Sequence, residues 1–421
     1  MPANKGLYRV PAPLVAAIVL PLALALAHFA VGGGWREAWH ALGSSSMSPA
    51  FADLRTITHS LDAVRAGVDP YVDTRYDPWH RTFNYPRAWL WLAPLGLGGA
   101  STIVLGIIMA TLLFLALTLL FRPRQPIGWL AAFGFSLSPP VLLGIERGNG
   151  DILIFSLLVL GMVASRTTGN RAQPLVRVAL IAVLTMLKVF PLAAVVALIR
   201  NRLGVALAAL AGGVALTCLW LSLHPGDMAR ILGNTPQSTF NAFGALPLVQ
   251  VVADAIATPA TASVRPVAIG LALLVAVAAA AIALARPALL HRLLPRLEAG
   301  RVIDDVALAC LGIHLLAFLP GSSWDYRLIF LIGTVPPMLA AYDRQQRRAL
   351  LAMPILIGAF VWTGPLSPYI HASDEVLDWM VFAIAAGWLA ATLGARIGIG
   401  ASSAPAAIPA DVARVVRSGT T

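Results

Sequence analysis

The chain is poor in charge. Asp, Glu, Lys and Arg make up 12% of its 421 residues, about half of the ~25% usual in soluble domains. So little charge cannot clothe the two or three soluble domains that a chain of this length would otherwise form. Lysine is almost missing: of thirty basic residues, only Lys5 and Lys188 are lysines. Cysteine is confined to Cys218 and Cys310, both in apolar runs, which points to neither a disulfide framework nor a metal site. The sequence shows no internal repeat. It has no long basic run with interleaved aromatics either, so a nucleic-acid surface is excluded.

What is present is apolar sequence. The hydrophobic fraction is 58% and the mean hydropathy +0.80. That rules out disorder and leaves an all-α polytopic membrane protein. The net charge of +11 falls mostly in short gaps between apolar runs, as in cytoplasmic loops.

The first apolar run, Pro11 to Val31, follows Lys5 and Arg9. Ala25-Leu26-Ala27 looks like a signal-peptide cleavage site, but a run of about 20 residues is the length of a span. It reads as an uncleaved helix with a cytoplasmic N-terminus. Further spans are predicted near 101–121, 126–144, 150–166, 203–223, 264–285, 304–319, 328–342, 349–365 and 376–395. Arginine-rich gaps at 122–124, 166–177, 200–202, 286–301, 344–348 and 396 mark cytoplasmic ends. The gaps 146–151, 224–242, 321–327 and 368–375 fall on the other side.

Arg177 and Arg200 test this alternation. Both look cytoplasmic, yet about 22 residues separate them, and two full spans need ~40. A hairpin of two short helices, turning near Lys188–Pro191, restores the parity. The total is about twelve membrane segments in one domain over 1–400. The Ala/Ser/Pro-rich tail at 401–421 reads as disordered and cytoplasmic.

The stretch 33–87 is the large first external loop, with six acidic residues and six arginines. Ser48-Pro49 predicts a helix start. Phe51, Leu54, Ile57, Leu61 and Val64 form an apolar stripe, and Gly67 is the stop. This is an amphipathic helix on the membrane surface. Pro86 to Gly99 is apolar but too short to span, so it reads as re-entrant or interfacial.

Lys188 lies in LTMLKVFPLAAVV. A lysine at bilayer depth costs about 2.5–3.5 kcal/mol on insertion scales, so it needs a partner or water. It either snorkels and pairs for packing, or faces an external cavity where a phosphate binds. Asp53, early in the surface helix, is either a solvated carboxylate favoured by the helix N-terminus or a base. Asp62, Asp69, Asp73 and Asp77 compete with it, although Asp69-Pro70-Tyr71 reads more as a turn. The polar knot Glu146 to Asp151 is a tight turn or a second wall of that cavity. Trp324-Asp325-Tyr326-Arg327 is an aromatic anchor or a further wall.

Several of these residues in this order resemble a known family. They are an Asp soon after span one, Asp69-Pro70-Tyr71, Tyr85-Pro86-Arg87, the Gly148-Asn149 loop and the Lys188-Val-Phe-Pro191 hairpin. Over roughly 10–345 the chain resembles glycosyltransferase family 87, the polyprenyl-phosphomannose-dependent mannosyltransferases of GT-C fold. Arg87 stands where the family has the second proline of Tyr-Pro-Pro, and the glutamine of its Gly-Gln-x-Asn-like loop is absent at Arg147–Asn149.

The resemblance implies an inverting transfer of mannose or another hexose or pentose. The donor is a polyprenyl-phosphate sugar, and the acceptor is a lipid-linked or cell-envelope glycan. Transfer takes place on the extracytoplasmic side of a bacterial inner membrane. It implies Asp53 as catalytic base, and Lys188, Arg87, Arg147 and Arg327 as groups for the donor phosphate. Tyr85, Glu146, Asn149, Asp325 and Tyr326 would bind substrate. No cofactor is expected, and no metal ligand set is visible. The residues alone suit the chemistry: an acceptor hydroxyl needs a base, and a departing phosphate needs fixed cations. Alternatives are a lipid-linked glycan transporter, which favours repeats and paired broken helices, a polysaccharide polymerase or ligase, and a structural subunit.

Overall fold

The apolar runs become helices. The computed structural model describes residues 10–169, 171–199, 203–235, 242–256, 264–363 and 367–398. Arg200, Arg202 and the predicted tail at 401–421 lie outside the described residues. The chain is 76% helical, which makes it all-α.

It opens with α1 (Ala12–Val31), α2 (Trp35–Ala41) and α3 (Ala52–Arg65), then a 3-10 stretch, Arg87–Leu95. Next come α4 (Thr102–Leu120), α5 (Pro126–Ser136), α6 (Pro139–Arg147), α7 (Gly150–Ala164) and α8 (Gln173–Leu187). A second 3-10 stretch, Phe190–Leu198, leads to α9 (Leu203–Leu223), α10 (Pro225–Asn234), α11 (Ala245–Ala255), α12 (Arg265–Ala285) and α13 (Pro287–Leu293). The last helices are α14 (Val302–Phe318), α15 (Ile329–Ile332), α16 (Val335–Gln345), α17 (Ala352–Val361) and α18 (Ser367–Ile397). Among the described residues, strand is limited to Ala242–Phe243 and Ser323–Trp324, paired antiparallel with Ala242 opposite Trp324.

Among the described residues, six helical stretches are long and apolar enough to cross a membrane: 12–31, 99–120, 126–147, 150–167, 265–285 and 373–397. Apolar side chains such as Leu26 and Phe29 on α1 and Leu274 and Val277 on α12 are exposed. Such flanks suit a surround of lipid rather than water. The predicted span at 126–144 is broken at Leu137–Ser138, because Pro139 and Pro140 follow and the residue before a proline leaves the helical region.

Hydrogen bonds sort the loops into two ends. At one end, Arg124 N–H donates to Asp343 (2.7 Å), Arg347 to the Arg292 carbonyl (3.4 Å) and Trp388 to the Pro295 carbonyl (3.0 Å). Arg177 pairs there with Asp305 at 2.8 Å, and Arg396 donates to the Ile199 carbonyl at 3.0 Å. Lys188 belongs to the other end, where it reaches Asp151. The segment from Arg177 to Ile199 therefore crosses to that end and returns. The return arm is a 3-10 helix, which gains more length per residue than an α-helix. It packs back on α8 and against α14.

The Arg177–Asp305 pair is buried on both sides. Arg177 also donates to Ser165 Oγ (3.0 Å), and Arg396 lies 3.8 Å from Asp305. Asp305→Ala strands the guanidinium and should cost about 3–5 kcal/mol of stability. Thermal unfolding in detergent should show it as a large fall in midpoint. Arg177→Met with Asp305→Leu should recover most of the loss, since an apolar pair replaces an ionic one.

The first loop is a folded cap. Ile57, Leu61, Tyr71, Phe83, Tyr85, Trp89, Leu90 and Ala93 form a small second core. Tyr71 donates to the Tyr85 carbonyl (2.8 Å), and Asp69 Oδ1 accepts from the Tyr71 N–H (3.0 Å), which makes the predicted turn. The helix start differs from the sequence reading. Ser48-Pro49 precedes α3 without capping it, and Ala52 is the first helical residue. Phe51 takes a left-handed conformation (φ 62°), and its N–H donates to the Glu146 carbonyl at 3.2 Å. Docking onto the α6–α7 loop thus sets where α3 begins.

Candidate functional site

A cavity of about 750 Å³ opens at the cap end of the helices. Asp53, Tyr85, Arg147, Lys188, Tyr326 and Arg327 all line it. They come from five separate stretches of sequence, so the fold brings them together. Among the described residues, five cationic side chains line the cavity (Arg81, Arg147, Lys188, Arg265 and Arg327) against the single carboxylate of Asp53. Val189, Phe190, Ile231, Pro320 and Trp324 supply apolar wall.

Asp53 sits in the first turn of α3. Its Oδ2 accepts from Asn149 Nδ2 at 2.6 Å, and its Oδ1 lies 3.6 Å from Arg81. Asn149 caps α7 by accepting the Asp151 N–H (2.9 Å). One amide side chain thus holds a helix start and a cavity carboxylate at once.

Arg81 is presented by Asp77. The Asp77 carboxylate accepts from Thr56 Oγ1 (3.0 Å), the Trp79 N–H (2.8 Å) and the Arg81 side chain (3.0 Å). Burial pushes Asp77 up, but Arg81 and the backbone donors outweigh it and hold the carboxyl below its ordinary range. Arg81 then donates to the Ala52 carbonyl at 2.6 Å, beside Asp53.

Lys188 follows the last residue of α8 in extended backbone. Its Nζ lies 2.7 Å from Asp151 Oδ2 and between the rings of Tyr85 and Tyr326, 5.9 and 5.8 Å away. Arg327 reaches the same oxygen at 3.2 Å, donates to Ser323 Oγ at 2.9 Å and stacks over Phe190. Trp89 donates to the Leu187 carbonyl at 3.0 Å, which pins the cap to the end of α8. Arg147 pairs with Glu146 at 3.1 Å and meets the Met47 sulfur.

Four residues expected at the site are elsewhere. Arg87 makes a two-pronged pair with Asp227 of α10 (2.8 and 2.9 Å), which staples the cap to the bundle. These hydrogen bonds, against a smaller opposing effect of burial, hold Asp227 low and Arg87 high. Glu146 is fully buried and accepts from Ser46 Oγ (2.7 Å) and the Met47 N–H (2.9 Å). It is scaffold, because no surface remains for a ligand. Asn149 is also fully buried and acts on Asp53 instead of on substrate. Asp325 lines a separate small recess with Asp374 and Asp378. Burial, then the charge of Asp374, pushes Asp325 up to about 8.

Sequence reasoning missed Arg81, and it named Asp77 only as a rival of Asp53 and Asp151 only as the end of a polar knot, without their partners. For Asp151 a signal existed: a buried lysine demands a carboxylate at its own depth, and Asp151 opens a predicted span at the cap end. Arg81 carried no such signal among the six arginines of the first loop. Among the described residues, no group of three or more His, Cys, Asp or Glu is arranged to hold a metal ion. No known family model matches the chain, and no curated protein matches it in sequence.

Proposed function

We propose that the protein is a membrane glycosyltransferase of GT-C-like build, with about twelve membrane segments and both termini cytoplasmic. It moves a sugar from a polyprenyl-phosphate donor to a glycan or glycolipid acceptor at the extracytoplasmic face. The observation that carries this reading is that Asp53 and Lys188 line one cavity. A base and a phosphate-binding cation in a shared cavity are the two parts that such a transfer needs.

The step is a single displacement. The acceptor hydroxyl gives its proton to the Asp53 carboxylate as its oxygen attacks C1 of the sugar. The bond from C1 to the phosphate oxygen breaks, and its electron pair leaves on the lipid phosphate. Lys188 and Arg327 offset the charge that collects there. The apolar walls suit the first isoprene units of the lipid, and Tyr85 and Tyr326 flank the sugar–phosphate junction. A transporter needs no base beside its phosphate cations, so the pairing of Asp53 with Lys188 favours transfer over transport.

Deleting the gene in its host and profiling lipid-linked glycans tests the reading. The expected result is a glycan short of one sugar, with the unextended acceptor accumulating. An unchanged glycan profile would contradict it.

A further inference from the structure

The Asp151 carboxylate is almost fully buried, with 1% of its side chain exposed, whereas Lys188 and Arg327 both line the cavity. Both cations meet the same oxygen, Oδ2, and Asp151 itself does not line the cavity. Asp151 therefore stands behind the two cations and does not touch what they bind. The three groups together have a net charge of one positive unit, where the two cations alone would have two.

That difference matters because the anion changes during the reaction. The proposed donor is a phosphodiester with one negative charge. The departing lipid phosphate is a monoester with roughly −1.5 to −2 at neutral pH. A clamp of one net positive charge matches the donor, and a clamp of two would match the product and hold it.

Resting on the reading above, we propose that Asp151 is a positioning residue that sets the charge of the phosphate clamp and so lets the lipid monophosphate leave. It aligns Lys188 with Arg327 and keeps their pull on a dianion low. Its own N–H is fixed by Asn149, which also holds Asp53. Base and clamp are thus registered to each other through one amide.

The probe is farnesyl phosphate, a soluble monoester, together with its methyl diester, which has one charge. Binding is measured on the full chain in nanodiscs. The wild-type protein should bind the two within about threefold of each other, because the clamp gains little from a second charge. Asp151→Asn should bind the monoester at least ~10-fold more tightly than wild type, the scale of one charge-assisted contact. Its steady-state turnover should fall by more than its single-turnover rate, the split that slowed product release gives. A residue with only a structural role would weaken binding when changed.

Several results would overturn the inference. One is a wild type that prefers the monoester by more than tenfold, a test that needs no variant to fold. Another is Asp151→Asn binding the monoester no more tightly than wild type while Lys188→Met loses it. In that case the phosphate site stands and the charge-setting role falls. If Lys188→Met binds both probes like wild type, the phosphate site itself is elsewhere and both readings fall.

Discussion

Asp53→Asn is expected to cut sugar transfer at least ~100-fold, the usual scale of a lost general base, while donor binding survives. The substitution keeps size and removes the proton acceptor. Asp53 lines the cavity, with one oxygen on Asn149 and the other toward Arg81. The nearby acidic residues do not share this position. Asp62 is engaged by Arg65 and by the Gly99 N–H at 2.8 Å. Glu146 is fully buried and accepts from the Met47 N–H. Asp77 is committed to Arg81. Asp62→Asn should therefore retain near-normal turnover. An active Asp53→Asn beside a dead Asp62→Asn or Glu146→Gln would show that the base is misassigned. The comparison is read as initial rates of transfer from a polyprenyl-phosphate sugar.

Lys188→Met is the second large effect. Donor KM should rise at least ~10-fold, the scale of a lost charge-assisted contact to phosphate, or turnover should vanish. The protein should still fold, because Arg327 continues to pair with Asp151 at 3.2 Å and no buried carboxylate is left alone. Thermal unfolding and donor titration on the same preparation separate the two effects. Unchanged donor kinetics would return Lys188 to a packing role. The same titration on Arg87→Met should show little change in donor KM, since Arg87 is spent on Asp227.

The all-α, membrane-suited character was legible because apolar run length follows directly from bilayer thickness, and six of the predicted runs are helices long enough to cross among the described residues. The Arg177–Lys188–Ile199 excursion was legible from length, because about 22 residues between two arginines leave room only for short helices. Asp53 was singled out through the resemblance and Lys188 by the cost of burying it, and the fold sets both on one cavity.

Their partners were harder to read. Asp151, Arg81 and Asn149 act across separations of 37, 28 and 96 residues, and no periodicity reports such pairings. Glu146 was placed in the cavity wall for a physical reason, whereas Asp325 is half-buried and lines a different recess. A charged residue in a loop between spans looks accessible in sequence, but here the first loop docks on the α6–α7 loop and buries Glu146. The start of α3 was missed likewise. Ser48-Pro49 obeys local capping rules, yet the tertiary hydrogen bond from Phe51 to Glu146 decides the boundary.

One cavity is proposed to join a base to a phosphate clamp in order to transfer a sugar. Purified protein in nanodiscs, given a polyprenyl-phosphate sugar and a lipid extract containing acceptor, tests this most directly when proton NMR follows the anomeric signal. The donor signal should fall, a product signal of inverted configuration should appear, and Asp53→Asn should leave the donor intact. Donor carried across the bilayer without being consumed, or a product of retained configuration, would contradict the proposal.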